Sequence, residues 1–350
     1  MTASRPSTSK SSRWCTTTTS ATTPTATKTS TTLCTTASSP SRWHEGRAMQ
    51  LSKTDLFAGL AVTAIWGANF SVIGLGLQTL DPFVLTLLRF TFCAVPLVLF
   101  IKRPPEVSYA TLIIYGVLFG AGLWGVVNVA MYHGLSAGMS SVFLQFSAFF
   151  TILMSRWFLD EPINRIQGAG MVFCAVGLLL ILQLSDEVST TVGIVLVLLA
   201  ALSWSLCNLI IKVRKPEDMV AFIVWSSLFS IPILLLMTLW FEGAEPLYNL
   251  ITDFTWGAGF SIVFQCYVTT IVGYRIWNNL MKKYPASVVA PLSLMVPVSG
   301  LLTSYVFFDE QMRNEQGVAI SLVLIGIALF VNSTRIHQRL VKPRGQSTPS

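Results

Sequence analysis

Trp66 and Asn69 stand three residues apart in the run AIWGANFSVIG, residues 64–74. A helix would place them on one face. The run is otherwise apolar, and an asparagine amide brings donors and an acceptor that need partners. It serves either as glue between helices or as the lining of a polar cavity, and Trp66 either closes a gate beside it or packs. Asn208 echoes Asn69 in ALSWSLCNLII, with Trp204 one residue further away. Arg89 is the other conspicuous group. It lies about 7 residues, or ~10 Å, inside an apolar run. A guanidinium there can snorkel to the interface, hold carbonyls at a helix break, or bind a ligand carboxylate through paired hydrogen bonds.

Further polar atoms interrupt apolar runs at Asn128, Gln145, Ser147, Tyr267, Tyr274, Asn278 and Ser293. Tyr267, Tyr274 and Asn278 keep near-helical spacing, which predicts one shared face. Pro291 and Pro297 flank Ser293 and free carbonyls at the preceding turn, so they are hinge or kink candidates. Asp160-Glu161 and Asp309-Glu310 invite a paired-carboxylate reading, but both pairs precede apolar runs, where acids cap helices and complement their dipoles. HExxH does not occur, and there are only three histidines. The six cysteines form no CxxC pair, which indicates neither a disulfide framework nor a metal site. The reading is of a non-enzyme with no metal and no cofactor. No acidic residue sits deep in an apolar run, so an intramembrane carboxylate for proton coupling is missing; His133 is the nearest titratable alternative.

These residues sit in a chain of 350 residues that is 53% hydrophobic and only 11% charged, with mean hydropathy +0.64. Soluble domains carry about 25% charged residues, so the class is a polytopic all-α membrane protein. The net charge of +7 follows from Lys and Arg gathered in one set of loops; it does not form a basic stripe with interleaved aromatics, which argues against nucleic-acid binding. Residues 1–48 differ: 25 of the 48 are Ser or Thr, with Glu45 the only acid. This tail reads as disordered, and MQLSKTDLFAGL from Met49 reads as an alternative start.

The apolar runs predict ten spanning helices, at roughly 55–77, 83–101, 109–131, 137–159, 166–184, 192–211, 219–241, 256–280, 286–308 and 316–334, each long enough for a ~30 Å core. Asp81-Pro82, Lys102-Arg103-Pro104-Pro105 and Lys215-Pro216-Glu217-Asp218 punctuate them. Alternate loops carry Lys and Arg, from Lys53 and Lys102 to Lys212, Lys282 and Lys283, while the opposite set carries Asp81, Asp186, Glu187, Glu242, Glu245 and Asp253. Both termini are therefore expected in the cytoplasm.

The two halves also resemble each other. LSAGMSSVFLQFSAFFTILMSRWFLDEPINRIQGAG aligns without a gap on YPASVVAPLSLMVPVSGLLTSYVFFDEQMRNEQGVA, so that Asp160-Glu161 falls on Asp309-Glu310, Gln167-Gly168 on Gln316-Gly317 and Gly177 on Gly326. Five helices per copy would invert the second copy, as in secondary transporters. The expected boundaries are a tail at 1–48, repeats at 49–187 and 188–341, and a second tail at 342–350.

AIWGANFSVIG, LTLLRF at 85–90, LDEPINRIQGAGMVFCAVGLLLI at 159–181, TTIVGY at 269–274 and VAPLSLMVPV at 289–298 resemble the EamA family of the drug/metabolite transporter superfamily. The resemblance covers about residues 53–335. It implies two inverted five-helix repeats in the bacterial inner membrane, with a cavity drawn largely from the third, fourth, eighth and ninth helices. It also implies export of small metabolites, most of all amino acids and derivatives such as cysteine and O-acetylserine. Partners would be a small-molecule substrate and the lipid bilayer, with no obligatory protein partner. Carriage of another small polar or toxic compound, a membrane sensor and a membrane enzyme are the rival readings.

Overall fold

The computed structural model describes residues 51–133, 135, 137–184, 190–308 and 314–341. The 1–48 tail, the alternative start at Met49, Asp309, Glu310 and the 342–350 tail lie outside them. Among the described residues every regular element is helical. α1 is Lys53–Leu77 and α2 is Pro82–Val98. α3 runs as Tyr109–Gly116, a π-helical stretch Val117–Gly125, and Val126–Tyr132. α4 is Ala137–Leu144 and Phe146–Phe158, interrupted at Gln145. α5 is Arg165–Leu184, α6 Thr191–Arg214 and α7 Met219–Phe241. α8 runs as Trp256–Val263, a π-helical stretch Phe264–Gly273, and Tyr274–Lys283. α9 joins Ala286–Val289, a 3-10 stretch Ala290–Leu294, and Met295–Phe308. α10 is Asn314–Val341. Six of these (α1, α3, α4, α6, α7 and α8) are long and apolar enough to cross a membrane; Pro82–Val98, Arg165–Leu180, Ala286–Gly300 and Gly317–Ser333 are shorter apolar stretches.

The helix starts follow from local chemistry. Asp81 Oδ1 accepts the Phe83 and Val84 amides at 2.8 and 3.1 Å, with Pro82 in the first turn. Asp218 does the same for Val220 and Ala221, and Thr255 caps α8. The expected caps of α5, Asp160 and Glu161, do not cap it. Asn164 takes that place in a reciprocal box: its Oδ1 accepts from the Gln167 amide at 2.8 Å, and Gln167 Oε1 accepts from the Asn164 amide at 2.9 Å. Asp160 instead turns the chain at φ 53°, a conformation Asp tolerates better than most residues.

Small polar side chains are buried at several helix contacts, and large apolar ones face outward. Phe100, Trp240, Ile251 and Trp256 are at least 84% exposed, a surface suited to lipid rather than water. Ser205, Ser226, Ser230 and Thr238 are fully buried. Ser230 Oγ donates to Gly116 O at 2.8 Å, joining α7 to α3, and Ser205 Oγ donates to Ser147 O at 3.0 Å, joining α6 to α4. Small residues let these backbones approach. A Cβ added at Gly67 of α1 would sit 2.5 Å from Val296 O and 2.8 Å from Gly300 N of α9.

Pairing between helices has a regular plan. α1 packs along α8 and α9, as α6 packs along α3 and α4; α2 packs along α7, and α5 along α10. In the α5–α10 seam, a Cβ at Gly177 would meet Ala319 O at 2.8 Å, and a Cβ at Gly326 would meet Gly170 O at 2.8 Å.

Candidate functional site

A narrow cavity of about 20 Å³ lies at mid-height, enclosed by α1 (Trp66, Asn69), α2 (Arg89), α3 (Trp124), α4 (Leu144, Gln145), α6 (Trp204), α8 (Thr269, Tyr274) and α9 (Val296). A wider one of about 80 Å³ reaches toward the end of α1 and the start of α2, past Ile73, Leu77, Pro82, Thr86, Asn128, Ser140 and Gln265. Arg89 and Trp124 line both.

The Arg89 side chain is 1% exposed. Its Nε donates to Thr270 Oγ1 at 2.9 Å and one Nη to Thr269 Oγ1 at 3.4 Å. Both hydroxyls in turn donate to Gln265 O, at 2.8 and 2.7 Å. That convergence needs the π-helical stretch, whose wide turn brings residues i+4 and i+5 over one carbonyl. The Arg89 guanidinium lies 4.2 Å from the Trp124 ring centroid, a cation–π contact. Among the described residues no carboxylate stands within 4 Å of it. A buried charge without a counterion is costly unless other groups or a ligand offset it.

Among the described residues, three that line the narrow cavity carry a buried atom with no hydrogen-bond partner: Asn69 Oδ1, Gln145 Oε1 and Trp124 Nε1. Ser140 Oγ is likewise unpartnered on the wider cavity. Gln145 marks the break in α4, and its Nε2 donates to Ser141 O at 3.1 Å. Below these groups lies an aromatic floor. Trp66 packs 4.7 Å from Tyr274, 5.4 Å from Trp277 and 5.7 Å from Trp204, centroid to centroid, and its Nε1 donates to Thr269 O at 3.2 Å.

A polar cluster closes the end of the bundle beyond that floor. Lys212 Nζ pairs with Glu161 at 2.6 Å and donates to Tyr284 O at 2.9 Å. Glu161 also accepts the Ala286 amide at 2.8 Å. Asp55 accepts from Lys283 and the Tyr284 hydroxyl, each at 2.6 Å. The start of α1, the α4–α5 turn and the ends of α6, α8 and α9 are thus tied together at one end.

Over residues 53–183 and 191–332 the sequence matches the model of the EamA-like transporter family. The chain belongs to that family. Its curated relatives include a probable amino-acid metabolite efflux pump of Salmonella typhimurium, 33% identical over 82% of this chain and 98% of the relative. The Escherichia coli protein of the same description is 31% identical over 81% and 97%. An uncharacterized transporter of Bacillus subtilis, YoaV, is 26% identical over 81% and 97%. A crystal structure 15% identical in sequence superposes over 83% of this chain and all of its own, with a TM-score of 0.64, and speaks to the fold alone. EamA-like proteins are transporters, so this chain is a membrane transporter rather than an enzyme.

Within this EamA-like fold, Trp66, Asn69, Arg89, Gln145 and Tyr274 come together on the narrow cavity, with Asn128 on the wider one. Asn128 is also tied down, donating to Pro82 O at 2.8 Å and Thr86 Oγ1 at 2.7 Å. The other candidates stand apart from both cavities. Ser147 offers its carbonyl to Ser205, Asn278 donates to the Tyr115 hydroxyl at 3.3 Å, and Ser293 bonds Ala290 O. Tyr267 falls out of line with Tyr274 because the π-helical stretch changes the angular step between them. Asn208 is satisfied by Trp277 and Thr151. Pro291 sits in the 3-10 stretch and Pro297 just after it. His133 lies exposed beyond α3 and Arg275 is exposed on α8. Trp124, Thr269 and Thr270 escape a sequence reading because single Trp and Thr residues are ordinary in spanning helices. The one available signal was TTIVGY, where adjacent hydroxyls face an arginine in another helix.

Proposed function

We propose that the chain exports amino acids and derivatives such as cysteine and O-acetylserine across the bacterial inner membrane, by alternating access through the Arg89 cavity. The observation that carries this reading is a buried guanidinium with no carboxylate partner among the described residues, standing at the junction of two cavities inside a transporter fold. The descriptions of the two relatives above 30% identity agree with it.

Ten spans in two inverted repeats, with both termini cytoplasmic, complete the proposal. The sequence alignment pairs Gly170 with Ala319 and Gly177 with Gly326. The seam contacts Gly170–Gly326 and Gly177–Ala319 exchange under that pairing, as expected of a two-fold relation. The helix partners also exchange when each helix is replaced by the one five places on. The two π-helical stretches occupy corresponding places in α3 and α8. In this arrangement the polar cluster closes the cytoplasmic end and the wider cavity faces the other side. Among the described residues no acidic side chain lines either cavity, which favours facilitated or exchange transport over proton coupling.

Cells expressing the chain should release labelled cysteine or O-acetylserine faster than cells carrying an empty vector. Equal release for every amino acid tried would remove the substrate assignment. Efflux from liposomes should continue without a pH gradient; strict dependence on one would contradict the coupling proposed.

A further inference from the structure

We infer that Gln145 and Asn69 bind the ammonium of a zwitterionic substrate whose carboxylate is held by Arg89, so that the cavity selects molecules carrying both charges. The inference rests on the amino-acid reading above and specifies how that class is recognised.

The argument starts from the orphaned atoms. Gln145 is 1% exposed and Asn69 3%, and an amide oxygen buried without a partner is destabilising. Asn69 Oδ1 and Gln145 Oε1 are both in that state on one cavity. The orientation of Gln145 is set by its Nε2, which is committed to Ser141 O. Its oxygen is the atom left without a partner, and an oxygen can only accept. Arg89 supplies the opposite chemistry: it can only donate, and its spare N–H groups and full charge have no carboxylate among the described residues.

The cavity therefore offers one fixed cation and two unpartnered amide oxygens, with the neutral Trp124 N–H and Tyr274 hydroxyl beside them. A carboxylate offsets Arg89. An ammonium on the same molecule is repelled by Arg89 and drawn to the acceptors. A ligand bearing only the ammonium leaves Arg89 uncompensated and adds a second buried positive charge. A ligand bearing only the carboxylate leaves both amide oxygens bare. Either loss is worth about tenfold or more in affinity, because hydrogen bonds to charged groups contribute about 1.5–3 kcal/mol. The cavity volume of about 20 Å³ requires the walls to part on binding, so smaller ligands gain no steric disadvantage.

Trp66, Trp124 and Trp204 line the cavity, so intrinsic tryptophan fluorescence of the purified full chain in lipid nanodiscs reports binding without transport. The probes are L-cysteine, 3-mercaptopropionate (no ammonium) and cysteamine (no carboxylate), all under reducing conditions. The unaltered protein should bind L-cysteine at least about tenfold more tightly than either smaller analogue. Gln145→Met and Asn69→Leu should lose most of the preference over 3-mercaptopropionate while keeping the preference over cysteamine. Equal affinity for the three probes in the unaltered protein would overturn the inference even if a variant fails to fold. So would variants that weaken all three by one factor. If cysteine efflux from cells persists in either case, the export reading survives and only the recognition scheme falls. No binding together with no efflux removes both.

Discussion

Arg89 does two jobs with different sensitivities. Its Nε and one Nη hold Thr269 and Thr270, yet those hydroxyls still donate to Gln265 O when the arginine is gone. Arg89→Ala should therefore lower export of carboxylate substrates more than tenfold, while folded protein in the membrane falls far less. Efflux normalised to detergent-stable protein measures this, and equal losses would make Arg89 purely structural. Glu242 carries a different kind of prediction. Its carboxyl, just past the end of α7, is held above the usual carboxylate range, first by burial and then by Asp81. The ionised form is thus disfavoured in the fold, and stability is lost as pH rises from the unfolded-state value through the raised one. Glu242→Gln should stabilise the protein at neutral pH and make no difference at acidic pH, as read by thermal melting in detergent. Asn69, Arg89 and Gln145 were legible in the sequence because amides and guanidinium stand out against apolar neighbours. Their partners were not, since the hydroxyls of Thr269 and Thr270 matter only through a helix far away in the chain.

The ends of most helices followed from Pro, Asp and Ser at the breaks, whose capping chemistry is local. The interiors were less readable. An i→i+5 backbone has no residue signature, and it is the π-helical stretch of α8 that parts Tyr267 from Tyr274. The α5 cap is a correction of the same kind: Asp160-Glu161 had the right composition, but Asn164 and Gln167 had the right spacing for the box. Pro291 marked a real departure from α-helix, the 3-10 stretch in α9. Backbone approach is where single changes at this scale should be most visible. Gly67→Ala would push a methyl into Val296 O and Gly300 N, neither of which can rotate away. We expect a loss of about 1–3 kcal/mol, seen as a lower melting temperature, with Gly74→Ala as the control because nothing lies within 4 Å of a Cβ there.

Taken whole, the bundle is tied hard at the polar-cluster end and leaves its larger cavity toward the other. Among the described residues Lys212 and Glu161 form the most buried ion pair, 2.6 Å apart with side chains 7% and 15% exposed. Lys212→Met would leave Glu161 without its cation and cost about 3 kcal/mol; Glu161→Gln in the same chain should restore part of that. A double-mutant cycle on melting temperature checks the coupling, and strict additivity would mean the pair holds nothing together. Charge depletion made the membrane class plain from composition, and the internal repeat pointed to two related halves. Which helices face which was not legible, because a lipid-facing side and a buried side are equally apolar; the division is made by Gly and Ser at the contacts.

The α5–α10 seam has a consequence for the covalent chain. Each half contributes one helix to that seam, glycine against carbonyl in both directions, and α1 of one half is clasped by α8 and α9 of the other. These contacts join the chain before residue 185 to the chain after residue 189 without using the covalent link between them. Two polypeptides cut there and made together in one cell hold the same complementary surfaces, and nothing in their packing asks for the missing bond.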